Sequence, residues 1–318
     1  MTKTSKTTQA FGAKTTIVFF GAGPVAAASL RLLAKNFVIE AVVTKPKPAG
    51  HRGEFPTLTA ANELGLKTYT PSNKKELSDL IATDPFTSTI GVVIDYGIII
   101  AQDVIDYFTY GIVNSHFSLL PQWRGADPIT FSLLSGQSQT GVSLMLITAG
   151  LDEGPVFGWG VYNIKSNDTS ESLTEQLVYL SDALLRDMLP KYLSGEFKPN
   201  PQEGVALAMD LPTEPTYSRK LTKADGLIDW QKPAKQIERE IRAYHAWPKS
   251  YTKFNDLDVV ITAAHMAEQK GDASKIEVVG KELIVYCGDD ALVIDKLKPA
   301  GKPEMDASGF INGYKKYL

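Results

Sequence analysis

The sequence contains very little cysteine and histidine. Cys287 is the only cysteine, so the chain can form neither an intrachain disulfide nor a multi-cysteine zinc site. The four histidines, at positions 51, 116, 245 and 265, are far apart and form neither an HxH nor an HExxH pattern. We therefore expect no metal cofactor, and a reducing cytoplasm as the location of the protein.

Long hydrophobic runs are also missing. The stretch 16–34 follows three lysines and imitates a secretory signal, but Gly21-Ala-Gly-Pro24 interrupts it and Arg31 lies inside it. A strand, a tight glycine turn and a proline-started helix account for all of these residues. No other stretch approaches the roughly 18 apolar residues that a bilayer span requires, so we expect no membrane partner.

The size and composition are those of an ordinary globular protein. The chain has 318 residues, of which 43% are hydrophobic and 22% charged. This length exceeds the size at which one hydrophobic core usually divides, so two domains are expected. The net charge is −3, but residues 217–253 carry nine Lys or Arg against four Asp or Glu. We call this segment the basic belt; it indicates either polyanion binding or a solvated helix face.

From residue 15 the pattern alternates between short apolar strands and amphipathic helices, which is typical of an α/β fold with a parallel sheet. Gly21-Ala-Gly23 lacks the third glycine of a dinucleotide fingerprint, and we do not expect NAD. The prediction is a Rossmann-like, doubly wound, mostly parallel sheet. Its predicted strands cover 16–20, 37–43, 89–94, 112–116 and 142–147, and its helices cover 24–35, 57–64, 74–82 (capped by Ser72), 103–108, 128–134 and 170–193.

The C-terminal part has a different pattern. Short alternating strands at 276–279, 283–286 and 292–294 are separated by turns, and a small OB-like β-barrel would close them. We predict a flexible N-terminus at 1–14, a catalytic domain at 15–194, a linker at 195–215 and the barrel domain at 216–318. We expect a monomer.

Two polar side chains in the predicted strand 112–116 indicate a reactive site. Asn114 and His116 are two residues apart, so both leave the same face of the strand. Gly150-Leu-Asp-Glu-Gly154 can return Asp152 to the end of that strand, because glycines flank the turn. Amide, imidazole and carboxylate together suit acyl transfer to an amine.

With these residues placed, the chain resembles the methionyl-tRNA formyltransferases and their relatives that use 10-formyltetrahydrofolate. The resemblance is carried by Asn114-Ser-His-Phe-Ser-Leu-Leu-Pro-Gln-Trp-Arg-Gly125, by Gly150–Gly154, by Val42–Gly50 and by the stretches around Thr216, Ile228 and Trp247-Pro248. It implies formyl transfer to the α-amine of initiator methionyl-tRNA for translation initiation, with Asn114, His116 and Asp152 as catalytic residues.

The resemblance also implies binding residues. It places the folate against main chain in two segments, at Asp95, Tyr96, Gly97, Ile98 and Ile100, and at Ser118, Leu119, Leu120 and Pro121. For the acceptor we predict Arg124, Gly125, Arg239 and Arg242. In the expected chemistry, Asn114 donates to the formyl oxygen, His116 polarises that oxygen or relays a proton, and Asp152 orients the imidazole and helps to accept the proton of the amine.

Several positions depart from the family pattern and leave alternatives open. Phe117 stands where a glycine is common, Asp127 replaces a small residue, and the loop 51–55 is short and poor in basic residues. Fewer cations weaken phosphate attraction, so the acceptor could instead be an amino-sugar nucleotide. A non-catalytic RNA- or folate-binding relative and a formyl-folate hydrolase are further alternatives.

Overall fold

The computed structural model describes residues 14–48, 50, 52, 53 and 55–318. The predicted flexible N-terminus, except for Lys14, lies outside the described residues, as do His51 and Glu54 of the loop 51–55. Two compact units are present. The first contains the described residues up to His116 together with Ser143–Trp159 and Val178–Gln202, and the second contains Phe117–Val142, Gly160–Leu177 and Glu203–Leu318. Because these units interleave along the chain, the contiguous domain limits given above stay a prediction.

The helices and strands follow one another in three groups. The first group contains β1 (Thr16–Phe20), α1 (Pro24–Asn36), β2 (Val38–Val43), α2 (Pro56–Glu63), β3 (Thr68–Tyr69), α3 (Lys74–Thr83), β4 (Gly91–Val93), α4 (Gln102–Tyr107) and β5 (Ile112–His116). The second contains β6 (Arg124–Gly125), α5 (Pro128–Ser135), β7 (Gln139–Leu146), β8 (Val156–Asn163) and α6 (Ser170–Leu193). The third contains α7 (Gln202–Ala208), β9 (Tyr217–Ser218), α8 (Ala234–Ala243), β10 (Ser250–Phe254), β11 (Leu257–Ala267), β12 (Ile276–Val279), β13 (Glu282–Tyr286), β14 (Ala291–Pro299), β15 (Met305–Asp306) and α9 (Ala307–Tyr314).

A seven-stranded sheet has the order β3-β2-β1-β4-β5-β7-β8. The strands from β3 to β5 are parallel, as predicted, whereas β7 pairs antiparallel with β5. The chain leaves β1 in one direction toward β2 and β3 and then returns to the other side at β4. This reversal makes a switch point, and ligands of such sheets bind beyond the carboxyl ends of the strands.

One hydrophobic cluster of the first unit lies on the face of the parallel strands that carries Phe20. The ring of Phe20 in β1 meets the rings of Tyr96 and Phe108 edge-on, with centroids 5.7 and 6.1 Å apart. Phe20 is fully buried because central parallel strands are covered on both faces. Successive residues of β1 can therefore all be apolar, without alternating with polar residues. The predicted bounds of β1 are confirmed.

The second unit contains an antiparallel sheet of order β10-β11-β14-β13-β12, with β15 pairing on β14. Ile237 and Ile241 of α8 lie in its core together with Phe254 and Phe310. The antiparallel C-terminal domain is thus confirmed. The pairings among the described strands do not join β10 to β12, so closure into an OB-like barrel stays a prediction.

One capping prediction was wrong, and some strands were not predicted. The N-cap of α3 is Asn73, not Ser72, since the Asn73 side chain accepts a hydrogen bond from the Glu76 amide at 3.0 Å. Strands β8, β10 and β11 were not predicted. Gly65 follows α2 with φ +65°, the left-handed conformation typical of a glycine that ends a helix. Among the described residues, every helix is too short or too polar to cross a membrane.

Candidate active site

Strand β5 presents Asn114 and His116 on one face. Ser115, between them, points the other way, and its Oγ lies 2.7 Å from the Ser181 Oγ of α6. This alternation is what an extended strand requires. Position 114 lies opposite Met145 of β7 and position 116 opposite Ser143, so β7 fixes the register of both polar residues.

Asp152 meets both of these side chains. The Asn114 Nδ2 donates a hydrogen bond to Asp152 Oδ1 at 3.2 Å, and the His116 Nδ1 lies 3.8 Å from Asp152 Oδ2. The side chain of His116 is 6% exposed and that of Asp152 is 16% exposed, so the three groups are shielded while solvent still reaches the carboxylate. The predicted convergence of the three side chains is therefore present in the structure.

The carboxylate of Asp152 faces both Asn114 and His116, and this determines the orientation of the Asn114 amide. A carboxylate can only accept hydrogen bonds, so the NH₂ of Asn114 must face Asp152. An amide NH₂ has two hydrogens, and one of them remains for a further acceptor. The 3.8 Å separation is longer than a hydrogen bond but suits attraction between the carboxylate and an imidazolium.

The loop between β7 and β8 places Asp152 by an unusual backbone conformation. Asp152 has φ +48°, in the left-handed region that non-glycine residues rarely occupy. The loop closes tightly, since the Leu146 amide donates to the Pro155 carbonyl at 3.0 Å. A Cβ on Gly154 would lie 1.8 Å from the Leu146 carbonyl oxygen, so this turn requires glycine.

The segment after β4 carries the first group of predicted folate residues. Asp95 and Gly97 both have left-handed backbones, with φ +49° and +67°, so the chain turns sharply and exposes main chain at the carboxyl edge. Ile99 is 77% exposed, whereas Ile98 and Ile100 pack on the core. Ile98 and Ile100 thus attach the segment to the core, while its exposed main chain at 95–100, which we call the open backbone, remains accessible.

Tyr96 is buried within this segment. Its hydroxyl has no hydrogen-bond partner among the described residues, and burial raises the pKa of its phenol. A buried hydroxyl without a partner suits a polar group of a ligand.

Two neighbouring features explain or extend the sequence-based assignment. A Cβ on Gly23 would lie 2.0 Å from Asp95 Oδ2, so the glycine turn after β1 serves close approach of two loops. No nucleotide is needed to explain it.

The sequence analysis assigned no role to Lys45, although this residue lies in the stretch Val42–Gly50 that carries part of the family resemblance. A Cβ on Gly97 would lie 2.8 Å from the Lys45 Nζ, which places a cation beside the open backbone.

In the second unit, the other predicted folate residues form a buried turn. The side chains of Ser118, Leu119 and Leu120 are all buried, and the Ser118 Oγ donates to the Gln122 carbonyl at 2.5 Å. Pro121 is buried as well. Phe117, where the family pattern commonly has glycine, is likewise buried.

Arg124 and Gly125 form β6, which pairs in parallel with β9. Gly125 has φ +111°, and a Cβ there would lie 2.3 Å from the Ser218 carbonyl oxygen. Glycine is required for this close contact. The Ser218 Oγ also accepts a hydrogen bond from the Asp127 amide at 3.1 Å, and burial is the main cause of the raised pKa of the Asp127 carboxyl.

The two predicted acceptor arginines of α8 are engaged within the protein. Arg239 lies at the end of α5, where its Nη1 donates to the Ser135 carbonyl at 3.4 Å. Arg242 forms a two-point ion pair with Glu238 and donates to the Asp168 carbonyl at 2.9 Å. The Arg239 contact suits a structural role, because a cation at the C-terminal end of a helix satisfies a free carbonyl.

The basic belt is partly neutralised. Ion pairs join Arg219 to Asp225, Lys232 to Glu240, Arg242 to Glu238 and Lys253 to Asp258. The belt residues that are exposed and have no ion pair among the described residues are Lys220, Lys223, Lys235 and Lys249. In the described part of the chain, no cluster of three or more His, Cys, Asp or Glu side chains could hold a metal ion.

Two family models match the chain. A model described as formyl transferase matches residues 14–189, and one described as formyl transferase, C-terminal domain, matches residues 220–315. The chain is 36% identical over 313 residues to a methionyl-tRNA formyltransferase of Myxococcus xanthus, with 94% of this chain and 95% of that protein covered. It is 34% identical over 307 residues to the methionyl-tRNA formyltransferase of Neisseria meningitidis, with 93% and 96% covered.

Solved structures share the fold. The N-formyltransferase of Helicobacter canadensis, in complex with folinic acid and dTDP-3-aminofucose, matches with a TM-score of 0.65 at 18% identity, covering 89% of this chain and 98% of that one. A sugar 3N-formyl transferase, solved in the presence of dTDP and 5-N-formyl-THF, matches with a TM-score of 0.66 at 19% identity, covering 92% and 100%. At these identities the likeness concerns the fold alone.

Proposed function

This chain belongs to the formyl transferase family, and on that premise we propose that it transfers a formyl group from 10-formyltetrahydrofolate to the α-amine of initiator methionyl-tRNA. The similarity to methionyl-tRNA formyltransferases over nearly the whole chain carries this proposal. The formylated product serves translation initiation. The amino-sugar alternative is not favoured, because the sugar N-formyltransferases share only the fold at under 20% identity.

The donor substrate supplies a formyl carbon bound to nitrogen, and the amine of the acceptor attacks that carbon. Negative charge then develops on the formyl oxygen. The second N–H of Asn114 is suited to donate to this oxygen, since the first is held by Asp152. Because Asp152 fixes the amide before the reaction, this donor needs no reorientation.

His116 and Asp152 divide the proton movements. As the carbon–nitrogen bond of the donor breaks, the leaving nitrogen gains a proton, which we assign to the imidazole of His116. Asp152 stabilises the imidazolium across 3.8 Å and accepts the proton of the attacking amine through a water. One proton is thereby lost from the amine and one is gained by the leaving nitrogen.

We assign folate binding to the two segments predicted from the sequence. In the first unit the open backbone at 95–100 and the unpartnered Tyr96 hydroxyl fit a pterin, which offers several donors and acceptors in one plane. We also retain the main chain of Ser118–Pro121, in the second unit, as the folate contact that the family resemblance implies.

For the acceptor we retain Arg124 and Gly125 and revise the basic residues. Arg239 and Arg242 already bind groups of the protein, so the exposed lysines of the basic belt are better placed to attract phosphates. We further propose that the protein acts in the cytoplasm as a monomer, with a catalytic domain at 15–194, a linker at 195–215 and a C-terminal domain at 216–318. The limits of the two family matches support that division.

An acceptor comparison tests this function. Purified protein is incubated with 10-formyltetrahydrofolate and either methionyl initiator tRNA, an amino-sugar nucleotide or buffer alone, and the formylated product and free formate are measured by mass spectrometry. We expect formyl-methionine on tRNA. Turnover of the amino-sugar nucleotide alone, or formate release that is independent of any amine, would contradict the proposal.

A further inference from the structure

Gln202 holds the loop that carries Asp152. Its side chain is buried, with the residue 4% exposed. The Nε2 donates two hydrogen bonds, to the Asp152 carbonyl at 2.8 Å and to the Gly154 carbonyl at 2.9 Å. An amide NH₂ has two hydrogens, so both are used on two carbonyls of the same turn.

The backbone beside Gln202 is itself fixed. Asn200 and Val156 exchange both of their backbone hydrogen bonds, each 2.8 Å long, in an antiparallel bridge. Gln202 therefore reaches the loop from a segment that is already bound to the start of β8. The carbonyls of the loop are therefore positioned by a residue outside the loop as well as by the backbone of the loop.

This support matters because Asp152 has a left-handed backbone. Such a conformation persists in a non-glycine residue only where its surroundings stabilise it. The Gln202 amide binds the carbonyl of Asp152 itself, and hence fixes the peptide that follows the carboxylate-bearing residue. The direction of that carboxylate toward Asn114 and His116 depends on the same backbone.

We infer that Gln202 is a positioning residue of the reaction, which acts through Asp152 by fixing the loop Gly150–Gly154 with its side-chain amide. The inference rests on the proposed function in one respect: the proposed function supplies the reaction whose rate is measured. Sequence reasoning assigned no role to this position, since it lies in the segment interpreted as a linker.

A Gln202→Met variant tests the role, because Met has a similar size and no amide to donate. We expect kcat for formyl transfer to fall about 10- to 100-fold, since small displacements of reacting groups have effects of this size. The KM for methionyl-tRNA should stay within about threefold. The matched control is Gln102→Met, at an exposed position of α4 whose side chain donates a hydrogen bond to Asp106 within the same helix.

A double-mutant cycle separates positioning from general structural damage. In an Asp152→Asn background the Gln202→Met change should lower the residual kcat by less than about threefold, because the group it positions is already impaired. Equal fold-losses in both backgrounds would overturn the inference. So would a Gln202→Met enzyme with a rate within twofold of the Gln102→Met control.

Amide hydrogen exchange provides a readout that does not depend on any substrate. Exchange at residues 150–154 should accelerate in Gln202→Met while exchange in β5 stays as in the parent, and unchanged exchange in the loop would overturn the inference. If Gln202→Met does not fold, Gln202→Asn, which keeps an amide but is shorter, is measured against the same thresholds. If the parent formylates another acceptor, the proposed function is wrong. The inference about Gln202 is then still tested, because the double-mutant cycle is run with that acceptor.

Discussion

The carboxylate of Asp152 is the group whose removal the structure makes most informative. An Asp152→Asn substitution keeps the size of the side chain and removes its charge. The Asn114 amide would then face an amide instead of an obligatory acceptor, and His116 would lose the anion 3.8 Å from its Nδ1. Folding should be retained, because the Asp152 contacts with Gln202 involve the backbone carbonyl.

The expected loss follows from the geometry. Two unit charges 3.8 Å apart interact by about 4 kcal/mol at an effective dielectric constant of about 20. The carboxylate is partly exposed, so we expect its removal to cost roughly 2–4 kcal/mol of the stabilisation of the imidazolium that protonates the leaving nitrogen. Each 1.4 kcal/mol corresponds to a tenfold change, so kcat should fall by about 30- to 1,000-fold.

The assay is steady-state formylation of methionyl-tRNA at saturating 10-formyltetrahydrofolate, with Asp103→Asn at an exposed position of α4 as a matched control. The KM for the folate should change little in Asp152→Asn, because its proposed contacts lie on main chain elsewhere. A kcat within fivefold of the control, or a raised folate KM with normal turnover at saturation, would refute the role assigned to Asp152.

Three further predictions test other parts of the account. Asn114→Ala should lower kcat by about 100-fold or more, with an unchanged thermal unfolding midpoint; a loss below tenfold would remove it as the oxyanion donor. Lys223→Glu should raise the apparent KM for methionyl-tRNA and reduce the slope of its salt dependence by about 1, and identical slopes would exclude this lysine from the acceptor surface. Asp225→Asn should lower the free energy of unfolding by about 1–2 kcal/mol at pH 7. The hydrogen bonds of Asp225 with Arg219 are the main cause of its depressed pKa in the folded state, so its contribution is present above the unfolded pKa of about 3.9 and is lost as the pH falls below it. Denaturant titrations at pH 7 and pH 3 should therefore show a smaller difference from the parent at pH 3, and an equal or larger difference would contradict the assignment.

The sequence was most informative where local pattern and local geometry agree. The apolar run of β1 and the polar positions of β5 were predicted with their bounds, because burial and alternation act over a few neighbouring residues. The meeting of Asn114, His116 and Asp152 was predictable because a strand end and a glycine-flanked turn restrict where side chains can point.

Long-range contacts explain what the sequence did not predict. Strand β8 contains Gly158 and Gly160, which weaken the strand signal, and its pairing depends on a distant partner. Arg239 and Arg242 were interpreted as free cations, since nothing nearby in the sequence indicates the Ser135 carbonyl that Arg239 binds. The role of Gln202 was missed for the same reason, because its two acceptors lie about fifty residues earlier.

The position of the formyl group tests the central claim most directly. A crystal structure of this protein with 5-formyltetrahydrofolate, a stable formyl-bearing analogue of the donor, would locate it. The account predicts the pterin against the main chain at 95–100 and the reactive end of the folate beside Asn114 and His116, with the Asn114 Nδ2 within about 3 Å of the position that the formyl oxygen takes. A folate bound elsewhere, or one whose reactive end lies beyond reach of the Asn114, His116 and Asp152 side chains, would contradict it.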